Sequence, residues 1–255
     1  MFIFFPILAS LPTLIYLAAA LLPAVFLLSY AYRHDTIEKE PPLLLLSLLL
    51  GGCIAALCSG VLEQFGEAAL RVWVSPHSSA YTVLLAFLVV ALAEEGTKLL
   101  LLRLRSWNHP AFNYRFDGLL YSVFVSLGFA ALENVMYVSH YGLSVALPRA
   151  VLSIPGHMSF AIFMGVYYGR AKHLANHGDM RSSRITLLFG YLIAVFLHGF
   201  YDTCAMLNTS LTTGIFIVFI IITFLSAFRT LKRESAADEP ISHDHNRYEN
   251  NNDSF

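Results

Sequence analysis

Residues 81–102 read YTVLLAFLVVALAEEGTKLLLL. At 1.5 Å per residue this run can cross the roughly 30 Å of bilayer hydrocarbon. It nevertheless carries Glu94, Glu95 and Lys98 in its second half. An ionisable side chain in hydrocarbon costs on the order of 2.5–3.5 kcal/mol by insertion scales, so charges in such a place need a partner or a purpose. A helix of this kind belongs in a membrane bundle with a polar interior.

The rest of the chain agrees. Of its 255 residues, 57% are hydrophobic and only 13% charged, about half the charge of a soluble domain, and the mean hydropathy is +0.63. Apolar runs near 10–32, 43–62, 81–102, 117–138, 149–169, 185–206 and 211–229 predict about seven transmembrane helices in an all-α polytopic membrane bundle. Sixteen Lys+Arg against seventeen Asp+Glu leave a net charge of -1, with no basic surplus for a nucleic-acid partner. Cys53, Cys58 and Cys204 form no C-x-x-C pair and read as helix-packing residues.

No Lys or Arg precedes Arg33, so the first run reads as a retained span despite the small residues Ala18, Ala19 and Ala20. With the N-terminus outside and the C-terminus inside, the basic residues of the loops fall almost entirely on the inner side, from Arg33, Lys39, Arg103, Arg105 and Arg115 to Arg233 and Arg247; Arg71 and Arg149 fall outside. Residues 63–80 read as an interfacial turn of helix. The tail 234–255, including His243 and His245, is rich in Asp, Glu, Asn, Ser and His and is expected to be a disordered cytoplasmic segment. Small residues four apart mark expected helix contacts: Gly52, Ala56 and Gly60; Ser122, Ser126 and Ala130; Gly165 and Gly169.

The polar residues within the spans carry the chemistry. Counted from the inner end of each span, Glu94 lies about 13 Å deep, His157 about 20 Å, His198 about 21 Å, Glu133 about 25 Å and Asp202 about 27 Å. Four helices thus offer acid or imidazole groups to one layer. Asn134 accompanies Glu133, and Asp117 near the inner surface reads equally as a helix cap. Glu94 with Lys98, and His198 with Asp202, are i,i+4 pairs on one face. Glu94 and Glu95 differ by about 100° around the axis, which predicts that they do not reach one atom from the same side.

Carboxylates and imidazoles in a membrane cavity can activate water and stabilise an oxyanion, as peptide hydrolysis requires. Ser153 and Ser159 flank His157 without any nucleophile-elbow motif. Zinc held by His157, His198 and Glu133 or Asp202 is the metal alternative, although no H-E-x-x-H occurs. A proton- or cation-coupled transporter would also use a buried Glu, His and Asp relay.

Glu94-Glu95-Gly-Thr-Lys98, Asp117-Gly-Leu-Leu-Tyr121, Gly128-Phe129-Ala130 leading to Glu133-Asn134, Pro155-Gly156-His157 and His198-Gly199-Phe200-Tyr201-Asp202 together resemble the successive motifs of the PrsW-type intramembrane proteases, relatives of the CAAX prenyl endopeptidases and abortive-infection membrane proteins. Arg33, Asp35 and Glu40-Pro41 resemble that family's first loop. Lys98 stands where the relatives often have Arg one position later. The resemblance implies a protease domain over 1–233 with its catalytic core at about 81–206. By it, Glu94 is the water-activating base, with Glu95 beside it. His157 helps hold the water, and His198 and Asp202 stabilise the oxyanion or support it. Lys98, Glu133, Asn134 and Asp117 are supporting residues. It further implies a multi-pass protein of the cell's inner (cytoplasmic) membrane whose substrates are single-span membrane proteins, such as anti-sigma factors, cut near the outer face.

Overall fold

The computed structural model describes residues 11–241. Seven helical rods make the bundle: α1 (Leu11–Arg33), α2 (Pro42–Trp73), α3 over 79–106, α4 (Arg115–Tyr141), α5 (Ile154–Asn176), α6 (Met180–Leu207) and α7 (Ser210–Ala236). All but α3 are long and apolar enough to cross a membrane. A π-helical stretch, Leu85–Ala91, divides α3 into Ser79–Leu84 and Leu92–Ser106. A second π-helical stretch, Arg149–Ser153, leads directly into α5. Glu94 comes three residues after the first such stretch and His157 four after the second.

Helix α4 lies at the centre, with every residue from Phe116 to Val123 buried. Bare backbone lets its neighbours close on it, because in lipid there is no hydrophobic force between helices and close packing must hold them. A Cβ on Gly52 of α2 would lie 1.9 Å from the Val125 carbonyl oxygen, and one on Gly128 of α4 would lie 2.1 Å from that of Leu49. Gly165 and Gly169 of α5 similarly meet Leu119 Cα at 2.5 Å and the Arg115 carbonyl oxygen at 2.2 Å. Gly60, expected among these contacts, has nothing within 4 Å of a Cβ; it borders the cavity described below. The three cysteines are free thiols.

Two stretches differ from the sequence reading. Residues 63–73 are no separate interfacial turn but the end of α2, since Glu63, Gln64, Glu67, Ala68, Ala69, Leu70 and Arg71 are good helix formers and Arg71 pairs with Glu67 one turn earlier at 2.6 Å. The segment from Glu234 begins as ordered structure: α7 continues to Ala236, Ile241 is buried, and its N–H donates to the Asn113 carbonyl at 2.7 Å. The first turn of α4 explains this docking, because its free N–H groups need acceptors. Asp117 Oδ2 accepts from the Asn113 and Tyr114 amides at 3.0 and 2.7 Å, and Asp238 Oδ1 accepts from the Phe116 amide at 2.8 Å. Asp117 is thus a cap. Residues 242–255, with His243 and His245, lie outside the described residues.

Asp35, Glu40 and Asp117 are all buried at this end. Tyr121 donates a hydrogen bond to Glu40. Burial lifts the Asp35 carboxyl to about 6 and that of Glu40 to about 7, and also raises Asp238.

Candidate active site

Where α2, α4 and α6 end and α3 and α5 begin, a cavity of about 480 Å³ opens. The basic loop residues Arg33, Arg103, Arg115 and Arg170 sit at the opposite ends of their helices. Glu63, Glu94, Glu133, Arg149, His157, His198 and Asp202 contribute to the cavity wall. The structure therefore gathers residues from α2, α3, α4, α5 and α6 that the sequence separates by up to 139 positions.

Glu94 faces the cavity at its edge and Glu95 lies fully buried behind it. Contrary to the angular expectation, both reach one atom. Lys98 Nζ lies 3.0 Å from Glu94 Oε2 and 2.8 Å from Glu95 Oε1. The long lysine side chain, three and four residues on, lies over both. The same ammonium donates to His157 Nδ1 at 3.1 Å and stands 4.0 Å from the centroid of the Phe129 ring. Its three N–H bonds are thereby matched by three acceptors, and Lys98 is completely buried.

These contacts fix the imidazoles. His157 Nδ1 accepts from Lys98, so its proton is on Nε2, which donates to Glu133 Oε2 at 3.0 Å. His198 Nδ1 donates to Glu95 Oε1 at 2.9 Å, since a carboxylate only accepts. His198 Nε2 is left facing Asp202 Oδ2 at 3.3 Å and Glu94 Oε2 at 3.8 Å. Phe160 stacks on the His198 ring at 5.3 Å, and the two histidine rings meet edge to face at 5.3 Å. Ser159 donates into its own helix, to the Pro155 carbonyl at 2.8 Å, while Ser153 borders the cavity.

Asn134 works as an interhelical tie: its Nδ2 donates to the Ala20 carbonyl at 2.8 Å and its Oδ1 accepts from Arg149 Nε at 2.8 Å. Arg149 and Glu63 are the residues the sequence reading left out of the site. Arg149 lies 2.9 Å from Glu133 Oε2 and over the Tyr137 ring at 3.9 Å. Its rarity was the available signal, as one of two basic residues assigned to the outer side. Glu63 reaches the cavity because α2 continues past the expected end of its span.

Glu94, Glu95, His157 and His198 have ligand atoms all within 4.8 Å of one another, a group that could hold a metal ion. This differs from the expected set, in which Glu133 or Asp202 joined the histidines: each of these carboxylates pairs with one histidine and lies outside the group. As arranged, the group already surrounds an ammonium. Zinc bound at about 2.0–2.2 Å from these donors would compete with Lys98 for three of the four, so the arrangement with Lys98 in place does not fit a metal.

The sequence model described as PrsW family intramembrane metalloprotease matches residues 39–228. Protease PrsW of Shouchella clausii is 36% identical over 217 residues, covering 85% of this chain and 95% of that protein. Protease PrsW of Geobacillus kaustophilus is 36% identical over 186 residues, covering 73% and 77%. Protease PrsW of Bacillus subtilis is 30% identical over 224 residues, covering 86% and 94%. No solved structure matches.

Proposed function

The chain belongs to the PrsW family of intramembrane proteases, and we propose that this membrane peptidase cuts single-span membrane proteins with a water activated between Glu94 and His198. The observation that carries this reading is the approach of Glu94 Oε2 to His198 Nε2, 3.8 Å apart at the wall of a polar cavity in an otherwise apolar bundle.

Glu94 takes a proton from the water, and the hydroxide attacks the scissile carbonyl carbon. His198, oriented through Nδ1 by Glu95, presents Nε2 to the developing oxyanion, with Asp202 Oδ2 3.3 Å from that nitrogen. Glu94 then returns its proton to the leaving amide nitrogen. His157, held by Lys98 and Glu133, keeps the rear wall of the cavity in register and is a positioning residue.

The cavity lies at the end of the bundle away from the basic loops, which by the positive-inside rule is the outer half of the cytoplasmic membrane. A substrate cut there loses its external domain, which suits regulated removal of an anti-sigma factor. The test is cleavage of a single-span anti-sigma factor from the same cell by the purified full chain in liposomes, with the cut site read by mass spectrometry. Cleavage within the outer half of the substrate span supports the reading; an intact substrate, or a cut at the inner face, overturns it.

A further inference from the structure

We infer that Lys98 is the resident cation of the active site and excludes a metal ion from the Glu94, Glu95, His157 and His198 group. The inference concerns the site proposed above and takes its purpose from that reading.

The four candidate ligands form two interlocked sets of hydrogen bonds. Lys98 Nζ holds Glu94 at 3.0 Å, Glu95 at 2.8 Å and His157 Nδ1 at 3.1 Å. Glu133 takes up the other nitrogen of His157 at 3.0 Å, and Glu95 accepts Nδ1–H of His198 at 2.9 Å. Glu95 Oε2 is buried with no hydrogen-bond partner. Also clear of Lys98 are the second oxygen of Glu94 and His198 Nε2, which faces Asp202 at 3.3 Å, but both nitrogens of His157 are engaged, so a zinc ion held by all four residues cannot take its ligands from unengaged atoms alone. A metal on that group would have to draw His157 Nδ1 away from Lys98, leaving a wholly buried ammonium beside a second positive ion at close range in a poorly screening interior.

Charge points the same way. Two adjacent buried carboxylates need a compensating cation, and a lysine fixed on the same helix supplies it at every moment of turnover. The Phe129 ring closes over the ammonium at 4.0 Å, a face that attracts a cation and offers a metal no ligand. Lys98 acts through Glu94 and is a positioning residue.

Metal binding by the full chain purified in detergent tests the inference. After equilibration with Zn²⁺ or Co²⁺ and removal of free ion, the unmodified chain should retain no stoichiometric metal and show no visible Co²⁺ absorption. Lys98→Met, which keeps the bulk and removes the charge, should retain a stoichiometric ion, and adding His198→Ala should release it. Lys98→Arg should behave like the unmodified chain. A stoichiometric ion on the unmodified chain overturns the inference, a result that needs no folded variant; so does a folded Lys98→Met chain that binds metal no better. Binding is measured without substrate, so this inference and the protease reading fail separately.

Discussion

Arg149 Nη2 lies 2.9 Å from Glu133 Oε2, the same oxygen that receives the His157 Nε2–H at 3.0 Å. One carboxylate oxygen therefore joins the segment between α4 and α5 to the rear wall of the cavity. Arg149→Ala frees Glu133 and with it the ring of His157. Misplacement by about 1 Å can cost on the order of 100-fold in rate, and a loss of about 10- to 100-fold in kcat with KM little changed is expected, measured on a single-span substrate in liposomes. Undiminished kcat would remove Arg149 from the site.

Glu94→Gln retains the shape of the base and abolishes its proton transfer. General acid–base catalysis contributes about 100- to 10,000-fold, so cleavage should fall by that factor while the thermal unfolding midpoint stays at or above that of the unmodified chain. His198→Ala should lose a comparable share. Full activity in either variant would defeat the proposed mechanism.

The contact between α2 and α4 depends on bare backbone at Gly52, where a Cβ would meet the Val125 carbonyl oxygen at 1.9 Å. Gly52→Ala must separate the helices, and overpacking typically costs about 1–3 kcal/mol. Gly60→Ala, four ångströms clear of every neighbour, should instead leave stability equal or slightly raised, as Ala favours helix over Gly by about 1 kcal/mol. Melting curves of both variants in one detergent decide it; equal loss in the two would contradict the close approach.

Stability should increase on mild acidification. Burial raises Asp35 to about 6 and Glu40 to about 7, above their ordinary values, so the folded state binds protons more tightly than the unfolded chain. The stabilisation is fully present below the unfolded values and is lost as pH rises through 6 to 7. The melting midpoint should therefore be higher at pH 5 than at pH 8, by the equivalent of on the order of 1–3 kcal/mol after allowance for solvent access at the membrane surface. Asp35→Asn combined with Glu40→Gln should flatten this slope, and an unchanged slope would exclude these two carboxyls as its source.

The docked end of the chain should contribute to stability too. Ile241 is wholly buried, and Asp238 accepts the Phe116 amide. Removing residues 237–255 exposes both the apolar contact and the first turn of α4. A loss of about 2–3 kcal/mol follows from burying one large aliphatic side chain, together with about 1 kcal/mol for a lost cap. An unaltered melting midpoint in the truncated chain would show that the segment only rests on the surface.

Sequence alone determined that the chain is a helical membrane bundle, because hydropathy over about 20 residues is a property of the run itself and hydrocarbon admits few other backbones. It also picked out Glu94, Glu95, Glu133, His157, His198 and Asp202, since an ionisable residue is conspicuous in an apolar run wherever its partner lies. Helical spacing also gave the pairs Glu94 with Lys98 and His198 with Asp202, but tertiary structure alone decided the partners contributed by other helices. The single ammonium shared by Glu94, Glu95 and His157, the oxygen shared by Arg149 and His157, and the passage of Glu63 into the cavity wall all depend on rotation and depth of whole helices. Those rotations rest on contacts between segments far apart in the chain, at the glycines where α2 and α5 close on α4, and periodicity within one segment carries no record of them.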